Sequence, residues 1–339
     1  MGAAMAIDPQ LTAIPTKTEA ILCRRYGSPD VLTLERVDVP TPAPEEVLVE
    51  VVAVSVHAGD WHLVRADPFL MRLLFGLTRP KSPLIGGDFA GVVRAVGRDV
   101  RELSVGDRVF GDVSNHSRGA FTRWVSAPAS FVAKAPTSIP LEEAAAVPVS
   151  AVTALQGLRD VGELARGERV LINGASGGVG SFAVQIAKAL GAKVTAVGGP
   201  HSLELLRSLG ADEVLDYTQI DFAEGGARFD LILDAAAYRS FFKARKALRQ
   251  GGRYVCVGGS TRHFFQAMIV GPIASMDGRS IRTMEAKPNA EDLRVVAAMT
   301  DAGELRPAIG ERFDGLASVP EALRHIEGRH HRGKTIVVL

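Results

Sequence analysis

A glycine-rich turn inside residues 169–197 constrains the fold of this chain more than any other feature. The turn, at 174–180, follows an apolar run at 170–172 that is typical of a buried strand. The next residues have the i, i+3, i+4, i+7 apolar spacing of a helix on a sheet, and 194–197 predicts a second strand. Such a unit holds a dinucleotide pyrophosphate, because the helix N-terminus offers unpaired N–H groups and glycine lets the backbone come close.

The turn departs from the G-x-G-x-x-G pattern at one position. Ala175 stands at the first glycine, with Gly177 and Gly180 at the second and third. The pattern alone is weak evidence, but its place between a strand and a helix makes the prediction specific. The sequence therefore predicts a nicotinamide dinucleotide site and an oxidoreductase. The alternative is an ordinary tight connection between a strand and a helix.

Composition narrows the class of protein. A chain of 339 residues is long enough for two domains with separate cores. A formal net charge of +1 does not indicate a nucleic-acid partner or an acidic surface as partner. Cys23 and Cys256 are the only cysteines, which excludes a disulfide framework and a cysteine-based zinc site and favours a reducing compartment. No apolar run approaches the ~20 residues of a membrane span, and we expect a cytoplasmic protein.

Three segments follow an N-terminal stretch, residues 1–18, which we expect to be a loose tail rather than a secretory signal. Residues 19–148 contain short β-branched runs separated by proline and glycine, which is typical of a compact, barrel-like β domain. Residues 149–279 alternate strand and helix patterns, which predicts a doubly wound parallel sheet and an α/β fold class. Residues 280–339 end in a strand pattern that we expect to return to the first domain.

Two apolar stretches, residues 69–75 and 263–270, fit neither pattern. One interpretation places them in a core or a dimer interface. The other makes them the walls of a hydrophobic substrate cleft between the domains, which is a usual place for ligands. The sequence leaves both interpretations open.

Several further segments carry a family resemblance that runs from about residue 20 to the last residue. They are 55–63 (SVHAGDWHL), 86–93 (GGDFAGVV), 144–148 (AAAVP), 153–155 (TAL), the glycine turn, 209–212 (LGAD) and 333–334 (GK). In their order and spacing the chain resembles a medium-chain dehydrogenase/reductase of the zinc-free, quinone-oxidoreductase-like branch. The resemblance implies a GroES-like catalytic domain (19–148 and 280–339) split around a Rossmann domain (149–279). It also implies NADPH in the cleft and a homodimer formed through a sheet edge near 280–284.

The resemblance bears on metal binding residue by residue. Zinc-dependent relatives place a cysteine at the His57 position, a histidine at Gly87 and a third ligand near 148–149, and their cysteine-rich zinc lobe has no counterpart here. Zinc needs three or four nitrogen or sulfur ligands that converge on one point. His57 with Asp60 and Asp88 is a poor set for zinc, so we predict no metal site.

A metal-free cleft limits which carbonyl compounds can be reduced. Hydride addition to a simple ketone puts a full negative charge on one oxygen, which normally needs a Lewis acid or a placed proton donor. Addition to an enone, enal or quinone spreads that charge over the conjugated system, so the protein mainly positions the reactants and excludes water. Small hydrophobic conjugated carbonyl compounds and quinones are therefore the expected substrates.

The candidate catalytic residues are His57, His62 and Asp60. The family usually has asparagine at the His57 position, and histidine there can donate a hydrogen bond or a proton near neutral pH. The alternative for His57 is structural support through Asp60. His62 matches a position where relatives carry tyrosine or histidine near the substrate, with a structural role as its alternative. Asp60 either orders the loop through backbone N–H groups or acts as a general base.

The segment after the second Rossmann strand bears on the choice between NADPH and NADH. An NAD-selective site usually has an Asp or Glu there, and residues 197–202 (VGGPHS) contain no acid. We therefore expect NADPH to be preferred, with NADH possible, and the family places its 2′-phosphate near Gly198, His201, Ser202 and Tyr217. Arg207 lies one turn into the next helix. The further cofactor contacts that the resemblance implies are Thr153, Asn173, Gly174, Ala175, Ser176, Gly177, Gly178, Val179, Gly180, Val257, Gly258, Gly259 and Lys334.

Three functions are compatible with these features. The first is an NADPH-dependent reductase of quinones or α,β-unsaturated carbonyl compounds. The second is a dedicated enoyl reductase of a biosynthetic pathway, with one committed substrate held by the two apolar stretches. The third is an NADPH-binding sensor or interaction protein that has kept the nucleotide fold without an activity.

Overall fold

The structure is a computed structural model that describes residues 14–67, 71–114, 116, 119–275, 278–328 and 332–339. Its strands are β1 (Lys17–Cys23), β2 (Leu32–Asp38), β3 (Glu46–Val56), β4 (Asp88–Val96), β5 (Arg108–Asp112), β6 (Trp124–Pro128), β7 (Val132–Lys134), β8 (Arg169–Asn173), β9 (Lys193–Gly198), β10 (Glu213–Asp216), β11 (Phe229–Asp234), β12 (Leu248–Cys256), β13 (Ser280–Thr283), β14 (Ile309–Asp314) and β15 (Lys334–Val338). Its α-helices are α1 (Ala58–Arg65), α2 (Met71–Phe75), α3 (Leu141–Ala144), α4 (Pro148–Gln156), α5 (Gly178–Ala189), α6 (Leu203–Ser208), α7 (Phe241–Ala244), α8 (Thr261–Ala274), α9 (Ala290–Asp301) and α10 (Val319–Glu327).

The first domain is built on a sheet in the order β14–β15–β3–β4–β5–β7, with β6 paired to β3 outside that path. The β-branched runs predicted as strands form β3, β4 and β5, and their inward side chains, such as Val49, Phe89 and Val109, are fully buried. β15 pairs antiparallel with β3, with Ile336 opposite Ser55. The C-terminal strand therefore returns to the first domain, and it lies beside the end of β3, where the candidate catalytic segment begins.

The second domain contains a six-stranded parallel sheet in the order β10–β9–β8–β11–β12–β13. Val170, Leu171 and Ile172 of β8 are completely buried, as expected for a strand covered by helices on both faces. The strand order reverses between β8 and β11, and ligands of such sheets bind outside the carboxyl ends of the strands at this point. The predicted α/β class, with a GroES-like and a Rossmann domain, is confirmed.

Two predicted segment boundaries differ from the structure. β13 pairs in parallel with β12, and Ile281 packs into the same core cluster as Tyr254, so the Rossmann sheet extends past residue 279 to Thr283. The boundary between 279 and 280 was therefore placed too early, because this short apolar strand completes the sheet. β1 begins at Lys17, inside the segment 1–18 expected to be a loose tail, and pairs with β2 over its whole length. Residues 1–13 lie outside the described residues.

The two apolar stretches form parts of helices. Residues 69 and 70 lie outside the described residues, and the rest of the first stretch forms α2, where Leu73 and Phe75 are exposed. The second stretch lies in α8, which exposes Met268 and Ile269. Neither stretch is simply core, and both the interface and the cleft interpretation remain open. Among the described residues, no helix combines the length and apolar character needed to cross a membrane.

Candidate active site

The glycine turn connects β8 to α5, and its glycines differ in how closely other atoms surround them. Gly174 has φ +73°, and a Cβ there would lie 2.6 Å from Ala236 Cβ. A Cβ on Gly180 would lie 2.2 Å from the carbonyl oxygen of Gly174, so this glycine lets α5 pack against the turn. Gly177 differs, since the nearest atom to its Cβ would be 3.5 Å away. On the side where a Cβ would point, Gly177 is therefore open, as a backbone that receives a pyrophosphate must be.

The alanine at the first motif position has a local explanation. The Ala175 side chain is completely buried in the core of the second domain, and its N–H donates to the carbonyl oxygen of Val197 at 3.0 Å. A methyl group there points away from the crevice and fills the core. The departure from the motif thus leaves the open face of the turn unchanged.

A buried polar network fixes the base of the turn. Asn173 Nδ2 donates to Asp234 Oδ1 at 2.8 Å and to the Ala236 carbonyl oxygen at 3.1 Å. The Tyr254 hydroxyl donates to the other oxygen of Asp234 at 2.7 Å. Burial raises the pKa of Asp234, against the lowering effect of these hydrogen bonds. The ends of β8, β11 and β12 are therefore tied together beside the glycine turn.

The C-terminal strand reaches the other side of the same turn. The N–H of Gly333 donates to the Ser176 carbonyl oxygen at 2.7 Å, and the stem of Lys334 lies beside Gly178, where a Cβ would be 2.9 Å from Lys334 Cδ. The Lys334 ammonium donates to Asp88 Oδ2 at 3.0 Å, with side-chain exposures of 2% and 0%. Lys334 therefore lies where the glycine turn meets the first domain, and its charge is paired with Asp88 there, while its predicted contact with the cofactor stays a prediction.

Asp88 joins three segments through its carboxylate. Besides Lys334, it accepts hydrogen bonds from the Ser55 hydroxyl at 2.5 Å and from the backbone N–H of Val149 at 2.7 Å. These partners come from β15, β3 and α4. The carboxylate is thus fully engaged in holding the barrel against the first helix of the Rossmann domain.

His57 is the N-cap residue of α1, directly after β3. Its backbone N–H donates to Asp60 Oδ2 at 2.9 Å, and its ring Nε2 lies 3.5 Å from the same oxygen. Nε2 is buried and makes no hydrogen bond to the described residues. Burial raises the pKa of Asp60, against the lowering effect of His57. Asp60 thus orders the start of α1 and lies beside the ring.

Gly87 and His57 are sterically matched. A Cβ on Gly87 would lie 2.9 Å from His57 Nε2, so the imidazole occupies the space that a side chain at position 87 would need. The same Cβ would lie 3.1 Å from Asp112 Oδ1. Sequence reasoning missed Asp112, although an acid at the end of the apolar strand β5 could have indicated a residue of this site. Within the described ranges, no three His, Cys, Asp or Glu side chains form a group able to hold a metal ion.

The structure gives the local contacts of the remaining predicted residues. His62 is held by its Nδ1, 2.7 Å from the Asp67 carbonyl oxygen, and by stacking on Trp61. The Thr153 hydroxyl donates to the Val149 carbonyl oxygen inside α4 at 2.6 Å. Val257, Gly258 and Gly259 follow β12, and Gly259 forms a bridge to Ala237. The roles predicted for these residues stay predictions.

The loop after β9 differs in part from the sequence interpretation. The Ser202 hydroxyl donates to the Gly199 carbonyl oxygen at 2.8 Å and its side chain is buried, so it does not face outward. Tyr217 is 54% exposed and lies against Gly199. His201 is exposed, and its carbonyl oxygen accepts a hydrogen bond from Arg332 Nη1 at 2.9 Å. Arg332, which sequence reasoning missed, thus brings a guanidinium to this loop from the far end of the chain.

Comparisons with known proteins agree with this architecture. The alcohol dehydrogenase GroES-like domain model matches residues 43–137, and the zinc-binding dehydrogenase model matches residues 209–337. A 2-methylene-furan-3-one reductase of Solanum lycopersicum is 31% identical, covering 99% of this chain and 82% of its own. The NADPH-dependent alkenal/one oxidoreductase, chloroplastic, of Arabidopsis thaliana is 28% identical, covering 96% and 80%. The structure of the quinone oxidoreductase from Coxiella burnetii has a TM-score of 0.85 and 26% identity, covering 95% of this chain and 99% of that one.

The two relatives and the solved structure match this chain through both domains, including the glycine turn of the second domain. They confirm the resemblance found in the sequence and identify an enzyme that uses a nicotinamide cofactor. The chain is an oxidoreductase of the medium-chain dehydrogenase/reductase superfamily, in its quinone oxidoreductase-like branch.

Proposed function

We propose that this oxidoreductase transfers hydride from NADPH to a quinone or an α,β-unsaturated carbonyl compound, without zinc. The observation that carries the proposal is the residue set around Gly87. Position 87 has no side chain, Asp88 is engaged by Lys334 and Val149, and the His57 imidazole fills the space at Gly87. Zinc needs three or more converging ligands, and this set does not provide them. An acceptor that disperses charge by conjugation needs no such Lewis acid.

The residues of the cleft suit this chemistry. The N–H groups at the start of α5, with open Gly177, bind the pyrophosphate, and the bound reduced nicotinamide supplies the hydride. His57 Nε2, which has no hydrogen-bond partner among the described residues, is the polar group available to donate to the substrate. The names of two relatives support the substrate class, since one reduces a 2-methylene-furan-3-one and the other acts on alkenals and alkenones.

A panel of acceptors tests this proposal. We expect NADPH oxidation with 2-cyclohexenone and 1,4-benzoquinone, and none with cyclohexanone, in protein whose metal content has been measured and removed with a chelator. Activity that tracks bound zinc, or comparable turnover of cyclohexanone, contradicts the proposal. Turnover of a single elaborate enone and no simple one indicates a dedicated enoyl reductase instead. Tight NADPH binding without any acceptor indicates a sensor protein.

The preference for NADPH is proposed from the loop after β9. The loop itself has no acid, and the carboxylate of Asp216, which pairs with Gly198 in the sheet, accepts hydrogen bonds from Thr218. Arg332 brings a guanidinium to the His201 carbonyl oxygen at 2.9 Å, and guanidinium groups bind phosphate strongly. The structure thus adds to this loop the cation that its own sequence lacks.

Arg332→Gln is expected to weaken NADPH binding by about tenfold or more, because charge-assisted hydrogen bonds contribute roughly 1.5–3 kcal/mol. NADH binding should stay unchanged, since NADH has no 2′-phosphate. Fluorescence titration of both cofactors measures this, with Arg294→Gln as a control at an exposed arginine paired to Glu102. An equal loss for both cofactors assigns Arg332 a purely structural role. Tighter NADH than NADPH binding by the unmodified protein contradicts the preference itself.

We also propose that two copies pair through β13. This strand is the edge of the parallel sheet, and α8 beside it exposes Met268, Ile269 and Ile273. Light scattering of the purified chain measures its oligomeric state, and a monomer at micromolar concentration contradicts the proposed pairing.

Location in the cytoplasm remains a prediction, since the Arabidopsis thaliana relative is a chloroplast protein.

A further inference from the structure

The base of the cleft holds titratable side chains that hydride transfer does not require. Three buried carboxylates, Asp60, Asp88 and Asp112, lie in this region with His57 and Lys334. Burying charges is costly unless they are paired, so each carboxylate needs an explanation. Asp88 is explained by Lys334, Ser55 and Val149, and Asp60 by the start of α1.

Asp112 is the carboxylate without such an explanation. It ends β5 with 6% exposure, and its hydrogen bonds within the described chain come from Ser114, whose backbone N–H donates to Oδ1 at 2.7 Å. Its Oδ1 and His57 Nε2 both approach Gly87, at 3.1 and 2.9 Å from the position of a Cβ there. Among the described residues, the Lys334 ammonium is bound to Asp88, and the His57 ring is the basic group whose charge acts on Asp112.

We propose that His57 Nε2 supplies the proton taken up by the α-carbon of the reduced substrate, and that Asp112 is the positioning residue that holds a proton on His57 for this step. The inference rests on the proposed reduction of conjugated carbonyl compounds. Once hydride has formed the new C–H bond at the β-carbon, the enolate must gain a proton. The Nε2–H bond breaks, a C–H bond forms at the α-carbon and the carbonyl double bond returns. The neutral ring then regains a proton from water.

The charge distribution agrees with this role. Burial and the nearby Asp88 carboxylate raise the pKa of Asp112 to about 6, against the lowering effects of the Ser114 hydrogen bonds and the His57 ring. Above that value Asp112 is a carboxylate, which favours the charged form of a neighbouring imidazole. The other charged groups of this cluster are Asp60 on α1, Asp88 on β4 and Lys334 on β15. The Asp88–Lys334 pair is neutral as a unit, so Asp60 and Asp112 are the other carboxyl groups of this cluster among the described residues.

Protonation stereochemistry tests the proposal during turnover. Reduction of 2-methyl-2-cyclohexenone creates a stereocentre at the α-carbon, and we expect the unmodified enzyme to give one enantiomer in large excess. His57→Asn should lose most of this excess while still transferring hydride, and Asp112→Asn should lose part of it. Asp38→Asn, at a highly exposed carboxylate, is the control. An unchanged enantiomer ratio in His57→Asn overturns the proposal, because water or another group then supplies the proton.

Nuclear magnetic resonance of the protein without cofactor or substrate gives an independent readout. The His57 ring signal is identified by its loss in His57→Asn. At a pH well above about 6, the His57 signal of Asp112→Asn should differ from that of the unmodified protein. At a pH well below about 6, where Asp112 is protonated, the two signals should coincide. A difference of the same size at both pH values indicates a structural effect and contradicts the role of Asp112. If no enone is reduced at all, the proposed function fails, while this measurement still decides the coupling between the two side chains.

Discussion

Gly177→Ala is expected to weaken cofactor binding by roughly tenfold to 100-fold, equivalent to about 1.4–2.7 kcal/mol, while the fold stays intact. The added methyl group meets no protein atom closer than 3.5 Å, and the backbone φ of −81° suits alanine. It would therefore intrude only on a ligand that lies against the turn. Titration of NADPH into the purified variant measures the loss, and thermal unfolding measures the fold.

Two variants make this result specific. Gly328→Ala is the control, since φ is −63° there and the nearest atom to a Cβ would be 3.4 Å away, at the C-terminal end of α10. Gly180→Ala should instead destabilise the protein, because its Cβ would lie 2.2 Å from the carbonyl oxygen of Gly174. Unchanged NADPH affinity in Gly177→Ala would show that the pyrophosphate does not lie on this turn.

Lys334→Met is expected to have the largest effect on stability, about 3–5 kcal/mol, because it leaves a buried carboxylate without its cation. Asp88 is completely inaccessible to solvent, and Lys334 donates to it at 3.0 Å. The pair also joins β15 to β4, so its loss loosens the contact of the C-terminal strand with the barrel. Urea unfolding followed by circular dichroism measures the change.

The double variant Lys334→Met/Asp88→Asn separates the charge from the packing. It removes both charges and should recover most of the lost free energy of unfolding. Arg324→Met, which breaks an exposed ion pair with Asp30, should cost less than about 1 kcal/mol. A loss below that value in Lys334→Met alone would mean that Asp88 is protonated or hydrated, and that the ion pair does not hold the two segments together.

Local patterns made the fold predictable. The glycine turn, the helix after it and the buried strands on either side are contiguous in sequence, so their spacing identifies them directly. β13 was assigned to the wrong domain because four residues carry little pattern, and only pairing with β12 shows where they belong. Ser202 was expected near the phosphate from its position, and only the structure shows that its hydroxyl donates to the Gly199 carbonyl oxygen within its own loop.

The site was less predictable because its contacts join distant parts of the chain. Lys334 and Asp88 are 246 positions apart, and Arg332 reaches His201 from 131 positions away. Burial is the main cause of the raised pKa of Asp112. No sequence pattern shows that a carboxylate at a strand end will lie beside His57. Sequence spacing identifies the residue types of such a centre, whereas tertiary packing decides which of them meet.

The central claim is that this cleft delivers hydride to the β-carbon of a conjugated acceptor. Its most direct test uses NADPH with deuterium at the transferred position of nicotinamide C4, with 2-cyclohexenone as acceptor and the product examined by nuclear magnetic resonance. We predict saturated cyclohexanone that carries deuterium at C3, the former β-carbon. Deuterium at the carbinol carbon of an allylic alcohol, or a product without deuterium, would contradict the account.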